Sequence, residues 1–237
     1  MHRDHVLYMK LDNILPLILL AAVSLGCSQL RDMAGGNGAP ANSPNAESPI
    51  SPGDNRGGTV PGGAPSGDPK TDINRMADAF IAQKMFRAKM VGSGQTPMNM
   101  ELEFVAPDRF RIKSSQGPQT VIIGRDVYIQ LGDRWMKSPE KLNSPLIDIR
   151  KTWDEEGRKW LSDVKQVGEE TVNGEPAYVY TYHNKGLEGV GENDSKIWIS
   201  KAEGLPVRIE AIYKGGTLKS MTIDYDYDAN ISIEPPI

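Results

Sequence analysis

The chain has a single cysteine, Cys27, in 237 residues. A disulfide framework within the chain is therefore excluded. Histidine is scarce too: there are three, and His2 and His5 stand at the very start. A buried catalytic thiol needs a base within reach, and none is placed near Cys27 except in what reads as a leader. Basic residues are not in excess. The formal net charge is -4, without the positive footprint of a nucleic-acid binder. No apolar run reaches the ~20 residues that a membrane-spanning helix needs. No glycine-rich phosphate loop follows a strand. These absences leave neither an enzyme of a familiar kind nor a nucleic-acid partner as the expectation.

What is present starts at the cysteine. Ile14 to Val23, "ILPLILLAAV", is ten residues of nearly pure apolar sequence. It has the length of a signal-peptide core, with Lys10 before it and small residues after it. Met9-Lys10 makes a normal start for such a leader, as does Met1. The seam "AAVSLGCS" resembles the lipobox of bacterial lipoproteins, with Gly26-Cys27 as its core. Ser24 stands where an aliphatic residue is usual, and Leu25 comes one place late. The resemblance implies that residues 1–26 are removed and that Cys27 is diacylated as the new N-terminus, carrying chains such as palmitate. Each buried methylene contributes about 0.8 kcal/mol, and stable attachment takes two signals or more. Ser28, in place of Asp, implies outer-membrane rather than inner-membrane sorting in a Gram-negative cell. The expected location is the cell envelope, on the periplasmic or extracytoplasmic side.

Residues 27–71 comprise this cysteine and a tether rich in Gly, Pro, Ser and Asn. Such a composition buries too little apolar surface to offset the entropy of ordering, so the segment reads as disordered. As a flexible coil it reaches roughly 35 to 40 Å. Residues 72–237 are one domain's worth of sequence.

The domain is expected to open with a helix capped at Thr71 or Asp72, with Ile73, Met76, Ala77, Phe80 and Ile81 on one face. After Met85 the apolar period changes from helical to two. In "MNMELEFVAP", Met98, Met100, Leu102 and Phe104 alternate with polar residues, which predicts a half-buried strand. "RFRIKS" follows with Phe110 and Ile112 on one face. "TVIIG" and "VYIQLGDRWMK" predict further strands. Helical signals return over residues 144–164, with Gly157 as a break. Strands then resume with "VKQVGEETV", the hairpin signal Asn173-Gly174, "PAYVYTYH", "SKIWISK", "LPVRIEAIY" and "TLKSMTIDYDYD". The fold class is mainly β with some helix: one antiparallel sheet, curled or closed, with an N-terminal helix and a helical insert.

This order resembles the LolA/LolB-like fold of periplasmic lipoprotein carriers and related lipid-binding lipoproteins. The segments that bear it are "MADAFIAQKMFRAKM", "ELEFVAPDRFRIKS", "VIIGRDVYIQLGDRWMK", "SKIWISKAEGLPVRIEAIY" and "TIDYDYDANISIEPP". The resemblance implies a curled sheet or incomplete β-barrel whose concave apolar face, covered by the N-terminal helix and the helical insert, binds acyl chains. A lipid or a lipoprotein's acyl chains would be the ligand, in lipid or lipoprotein transport. The alternative is a sensor or structural lipoprotein that uses the same fold to contact another envelope protein.

The candidate ligand-binding face is Met98, Met100, Leu102, Phe104, Phe110 and Ile112. On periodicity alone these residues equally well pack under the helices. Methionine suits an adaptable cavity, and the chain has ten methionines against four phenylalanines. "DYDYD" puts Asp224, Asp226 and Asp228 on one strand face, which suits a solvated face that discourages edge pairing better than a wrapped ion. His183 has no nucleophile or orienting group beside it in sequence. No catalytic residue, no metal site and no cofactor is expected.

Overall fold

The computed structural model describes residues 63–95, 97–139, 149–185 and 191–237. The leader, Cys27 and the tether up to residue 62 lie outside the described residues. Helix α1, Pro69–Ile81, opens the domain. Its cap is Asp68, whose carboxylate accepts the Lys70 N–H, with Pro69 in the first turn. The expected caps Thr71 and Asp72 are thus inside the helix, and the expected boundary at residue 72 falls within it. Asp72 is not a cap but a buried acceptor. It takes hydrogen bonds from the Tyr180 hydroxyl at 2.9 Å and the Ser66 N–H at 2.9 Å, and a charged bond from Arg75 at 2.9 Å.

Eleven strands follow: β1 Met85–Gly94, β2 Met98–Val105, β3 Arg109–Ser114, β4 Thr120–Ile123, β5 Asp126–Leu131 and β6 Arg134–Lys137; then β7 Leu161–Val172, β8 Glu175–Asn184, β9 Asn193–Ser200, β10 Pro206–Tyr213 and β11 Leu218–Asp226. They form one antiparallel sheet in the order β6-β5-β4-β3-β2-β1-β11-β10-β9-β8-β7. β6 and β7 are its two edges, so the sheet curls without closing. Within each half, strands consecutive in sequence are neighbours, and the only non-sequential neighbours are β1 and β11. Asn173 and Gly174, at φ 54° and 83°, make the expected hairpin turn, since both central positions need a positive φ.

Between β6 and β7 the described helical residues are a 3₁₀ turn, Ile149–Trp153, and α2, Glu155–Arg158. The break falls at Asp154, whose carboxylate caps α2 by accepting the Gly157 N–H at 2.8 Å. Gly157, expected to break the insert, lies inside α2. β7 begins at Leu161, so the insert ends before the expected residue 164, while its expected start at residue 144 lies outside the described residues. The sequence pattern does not separate β1 from its surroundings, and it proves to be a central strand.

Side chains of even parity on β1 and β2 face α1 and the insert. Phe80, Met76 and Ile73 of α1 meet Phe86, Leu102, Phe104, Ile197, Ile209, Ile223 and Tyr225 in one buried cluster. Trp153 of the insert packs edge-on against Tyr182, with ring centroids 5.9 Å apart. Arg158 of α2 bonds Asp78 of α1, tying the two covering pieces together. The insert therefore does cover the helix-bearing face, as expected.

Candidate functional site

The strand register arranges the inner face as transverse rows. In the first, Phe86 stands opposite Phe104, Phe104 opposite Phe110, Phe110 opposite Ile122, and Ile122 opposite Val127. Successive phenylalanine rings lie 5.2 Å apart, a separation at which tilted aromatic pairs attract. Phe80 of α1 rests 5.2 Å from Phe86, so all four phenylalanines of the chain join one stack. The Arg150 guanidinium lies 4.1 Å over the Phe104 ring. This row is core.

The next row behaves differently. It runs Ala88, Leu102, Ile112, Thr120, Ile129, Met136 across β1 to β6. Ala88 and Leu102 are fully buried, Ile112 and Ile129 are half-buried, and Met136 is 53% exposed. Leu131, 52% exposed, shares this face at the end of β5. Apart from the buried Thr120, the row is apolar from the packed interior to the exposed Met136.

Two further rows complete the mouth. Met90 stands opposite Met100, and Met100 opposite Ser114. Beyond them come Ala211, Met221, Gly92 and Met98. Met98, Met100 and Met221 are half-buried and pack on the edge of the core. Gly92 leaves room for a neighbour: a Cβ there would come 2.8 Å from Leu218 Cδ1 and 3.4 Å from Met98 Cβ, so the Leu218 tip would have to shift. The Leu218 side chain lies across that bare backbone.

All six residues singled out from the sequence share this inner face. Leu102, Phe104 and Phe110 are buried in the core, while Met98, Met100 and Ile112 are half-buried at its open end. Four other residues of the mouth, Ile129, Leu131, Met136 and Met221, escape a reading of the sequence alone. The signal is there, since each alternates within its strand, but only the register brings them beside Met100 and Ile112.

The outer face carries charge. Glu103, 4% exposed, accepts from Arg87 at 2.8 Å and from Arg111 at 2.6 Å. Burial, the largest single influence, pushes the Glu103 carboxyl up, but the two guanidinium bonds outweigh it and hold the group below its ordinary range. Asp224 pairs with Arg208 at 2.7 Å and accepts from Asn173 at 2.9 Å. Asp226 faces Arg87 at 3.5 Å. β11 is central, so these aspartates do not protect an edge; they bind their strand to its neighbours. Asp228 lies beyond the strand end. His183 Nδ1 meets Asp194 at 2.7 Å and Nε2 meets Glu192 at 3.2 Å. Those two carboxylates also hold Lys214, so the group knits the β8–β9–β10 ends together. Among the described residues no cluster of three or more His, Cys, Asp or Glu groups is placed to hold a metal ion.

What the strands and rows define is an open half-barrel, filled by helices at one end and lined by exposed apolar side chains at the other. No protein-family model and no curated protein matches the chain. Among solved structures, the Mycobacterium tuberculosis lipoprotein LppX aligns with a TM-score of 0.54 and 14% identity, over 72% of this chain and 100% of LppX. LprF from Mycobacterium bovis aligns with a TM-score of 0.54 and 12% identity, over 73% of this chain and 99% of LprF. A LolA-superfamily protein from Nitrosomonas europaea aligns with a TM-score of only 0.29 and 9% identity, over 66% of this chain and 90% of that protein. At these identities the likeness is one of fold. The chain has the expected open antiparallel half-barrel, a fold it shares with LppX and LprF.

Proposed function

We propose that this chain is an envelope lipoprotein, anchored through acylated Cys27, that binds a hydrophobic ligand in the mouth of its half-barrel. The ligand class is the acyl chains of a lipid or of another lipoprotein, and the role is to hold or pass on such a ligand rather than to catalyse a reaction. One observation carries this reading: the row from Leu102 through Ile112 and Ile129 to Met136, interrupted only by the buried Thr120, presents apolar side chains from the core out to solvent. An exposed apolar surface of this kind, next to flexible methionines, is costly for a protein that does not use it. The tether read from residues 27–71 would let the domain stand clear of the membrane, and Ser28 favours the outer membrane where the cell has one.

Native mass spectrometry of the chain, extracted from its own membrane, tests the reading directly. A co-purifying lipid is expected. The Met100→Glu variant should then fold but lose uptake of a fluorescent fatty acid. If the wild type takes up no such probe and carries no lipid, the mouth is instead a contact surface for an envelope protein. Cys27→Ala should abolish acyl labelling; unchanged labelling would remove the anchor.

A further inference from the structure

A second concavity lies on the opposite, outer face. After β11 the chain turns back as an extended strap across β3 to β6. Ile231 and Ile233 of the strap are buried against Val121 and Tyr128. Arg109 donates to the Ile233 carbonyl at 2.6 Å and Arg111 to the Ser232 carbonyl at 2.8 Å. With Ile231 and Ile233 facing the sheet, Ser232, Glu234 and Pro236 line the near wall of an open trough of about 450 Å³. Its other wall and floor come from Lys113, Gln119, Val121 and Trp135. That volume is within the usual range for small-ligand sites.

The chemistry of the trough is specific. Trp135 is half-buried against the Val121–Ile233 cluster and offers the remainder of its indole to the trough. Neither its N–H nor the Gln119 side-chain amide is hydrogen-bonded among the described residues. Gln119 offers both donors and an acceptor, Trp135 a donor, Lys113 spare donors, and Glu234 an acceptor. The charges, however, are already matched. Arg111 is committed to Glu103 at 2.6 Å, Lys113 to Glu101 at 3.3 Å, and Glu234 to Arg109 at 3.2 Å. A polyanion would have to displace these partners. A neutral molecule with many hydroxyl groups would not, and the apolar C–H face of a sugar ring fits an aromatic plate ringed by amide, ammonium and carboxylate groups.

We propose that the trough between strap and sheet is a carbohydrate-binding site for a neutral saccharide, with Trp135 as the stacking platform and Gln119 and Lys113 as hydroxyl-binding groups. It would let an anchored protein hold an envelope glycan on one face and an apolar ligand on the other.

Isothermal titration calorimetry of the full chain against soluble neutral oligosaccharides, including glucose, mannose and N-acetylglucosamine oligomers, tests it. At least one should bind saturably, with an affinity little changed between about 0.05 and 0.5 M salt, a range over which screening of charge pairs rises steeply. Trp135→Ala should weaken it at least tenfold and Gln119→Ala severalfold, while Met100→Glu leaves it unchanged. The Gln119 variant removes no buried group, so it tests the site even if Trp135→Ala unfolds. Binding of sulfated or phosphorylated glycans alone, lost at high salt, would overturn the assignment. So would the absence of any saturable saccharide, or binding indifferent to both variants. None of these outcomes depends on the inner face holding lipid.

Discussion

The two faces of the one sheet are built from the same strands and follow opposite rules. The inner face puts phenylalanine, leucine, isoleucine and methionine in rows, and grades from a dry core under α1 to a solvent-exposed mouth. The outer face puts arginine, lysine, aspartate and glutamate in rows that pair across β3, β2, β1, β11 and β10. Its apolar clusters lie where something covers them, and the exposed Val91 and Ile212 stand singly among polar neighbours. Val121 and Tyr128 lie beneath the strap, and Trp198 lies beneath Lys196, 4.4 Å over its ring, with Glu170 accepting its N–H at 2.9 Å. The difference is one of coverage. On the outer face these apolar clusters have lids, whereas on the inner face the apolar surface continues past its lid.

This contrast can be broken most severely in the aromatic row. Phe104→Ala removes a ring that is fully buried between two others, and should cost about 3–5 kcal/mol in denaturant unfolding. A loss under about 1 kcal/mol would mean that this end of the half-barrel is not packed core. On the outer face, Ile233→Ala should cost about 2–4 kcal/mol, because the strap's isoleucine is 1% exposed. A neutral result would show that the strap is not a lid.

The charge lattice should yield less. Glu103→Gln leaves two guanidinium groups with a weaker acceptor, and should cost about 1–3 kcal/mol at pH 7. Its pH dependence sharpens the assignment. The folded carboxyl is held below its ordinary range, so its contribution is present at neutral pH and is lost as the pH falls through the folded value. Acid unfolding of the variant should therefore be flatter than that of the wild type below about pH 4.5; parallel curves would remove Glu103 from the account. The smallest effect on stability is expected at the mouth. Met100→Glu should change unfolding by about 1 kcal/mol or less, since the carboxylate reaches water at a half-buried site. Loss of several kcal/mol would place Met100 in the packed core and close the mouth.

Much of this was legible from residue order. The period-two alternation in "MNMELEFV" and "RFRIKS" assigned Met100, Leu102, Phe104, Phe110 and Ile112 to one face, because a strand allows only two. Asn173-Gly174 marked its hairpin because few residue pairs accept two positive φ angles. The tether composition and the scarcity of cysteine and histidine are facts of sequence alone. The order of helix, meander, insert and meander was enough to suggest a half-barrel.

Other features needed the third dimension. β1 was hidden because "MFRAKMVGSG" follows a helix directly and ends in glycines that serve a close approach rather than a turn. Asp72 looked like a cap, yet it is a buried acceptor for Tyr180, 108 positions away. The aspartates of "DYDYD" looked like edge charges until β11 proved central, paired on both sides. Above all, alternation tells which residues share a face but not how far along that face the covering helices reach. The difference between Phe104 in the core and Met100 at the mouth is set by where α1 and the insert stop. That boundary depends on contacts between segments remote in sequence, so it was decided by the tertiary structure.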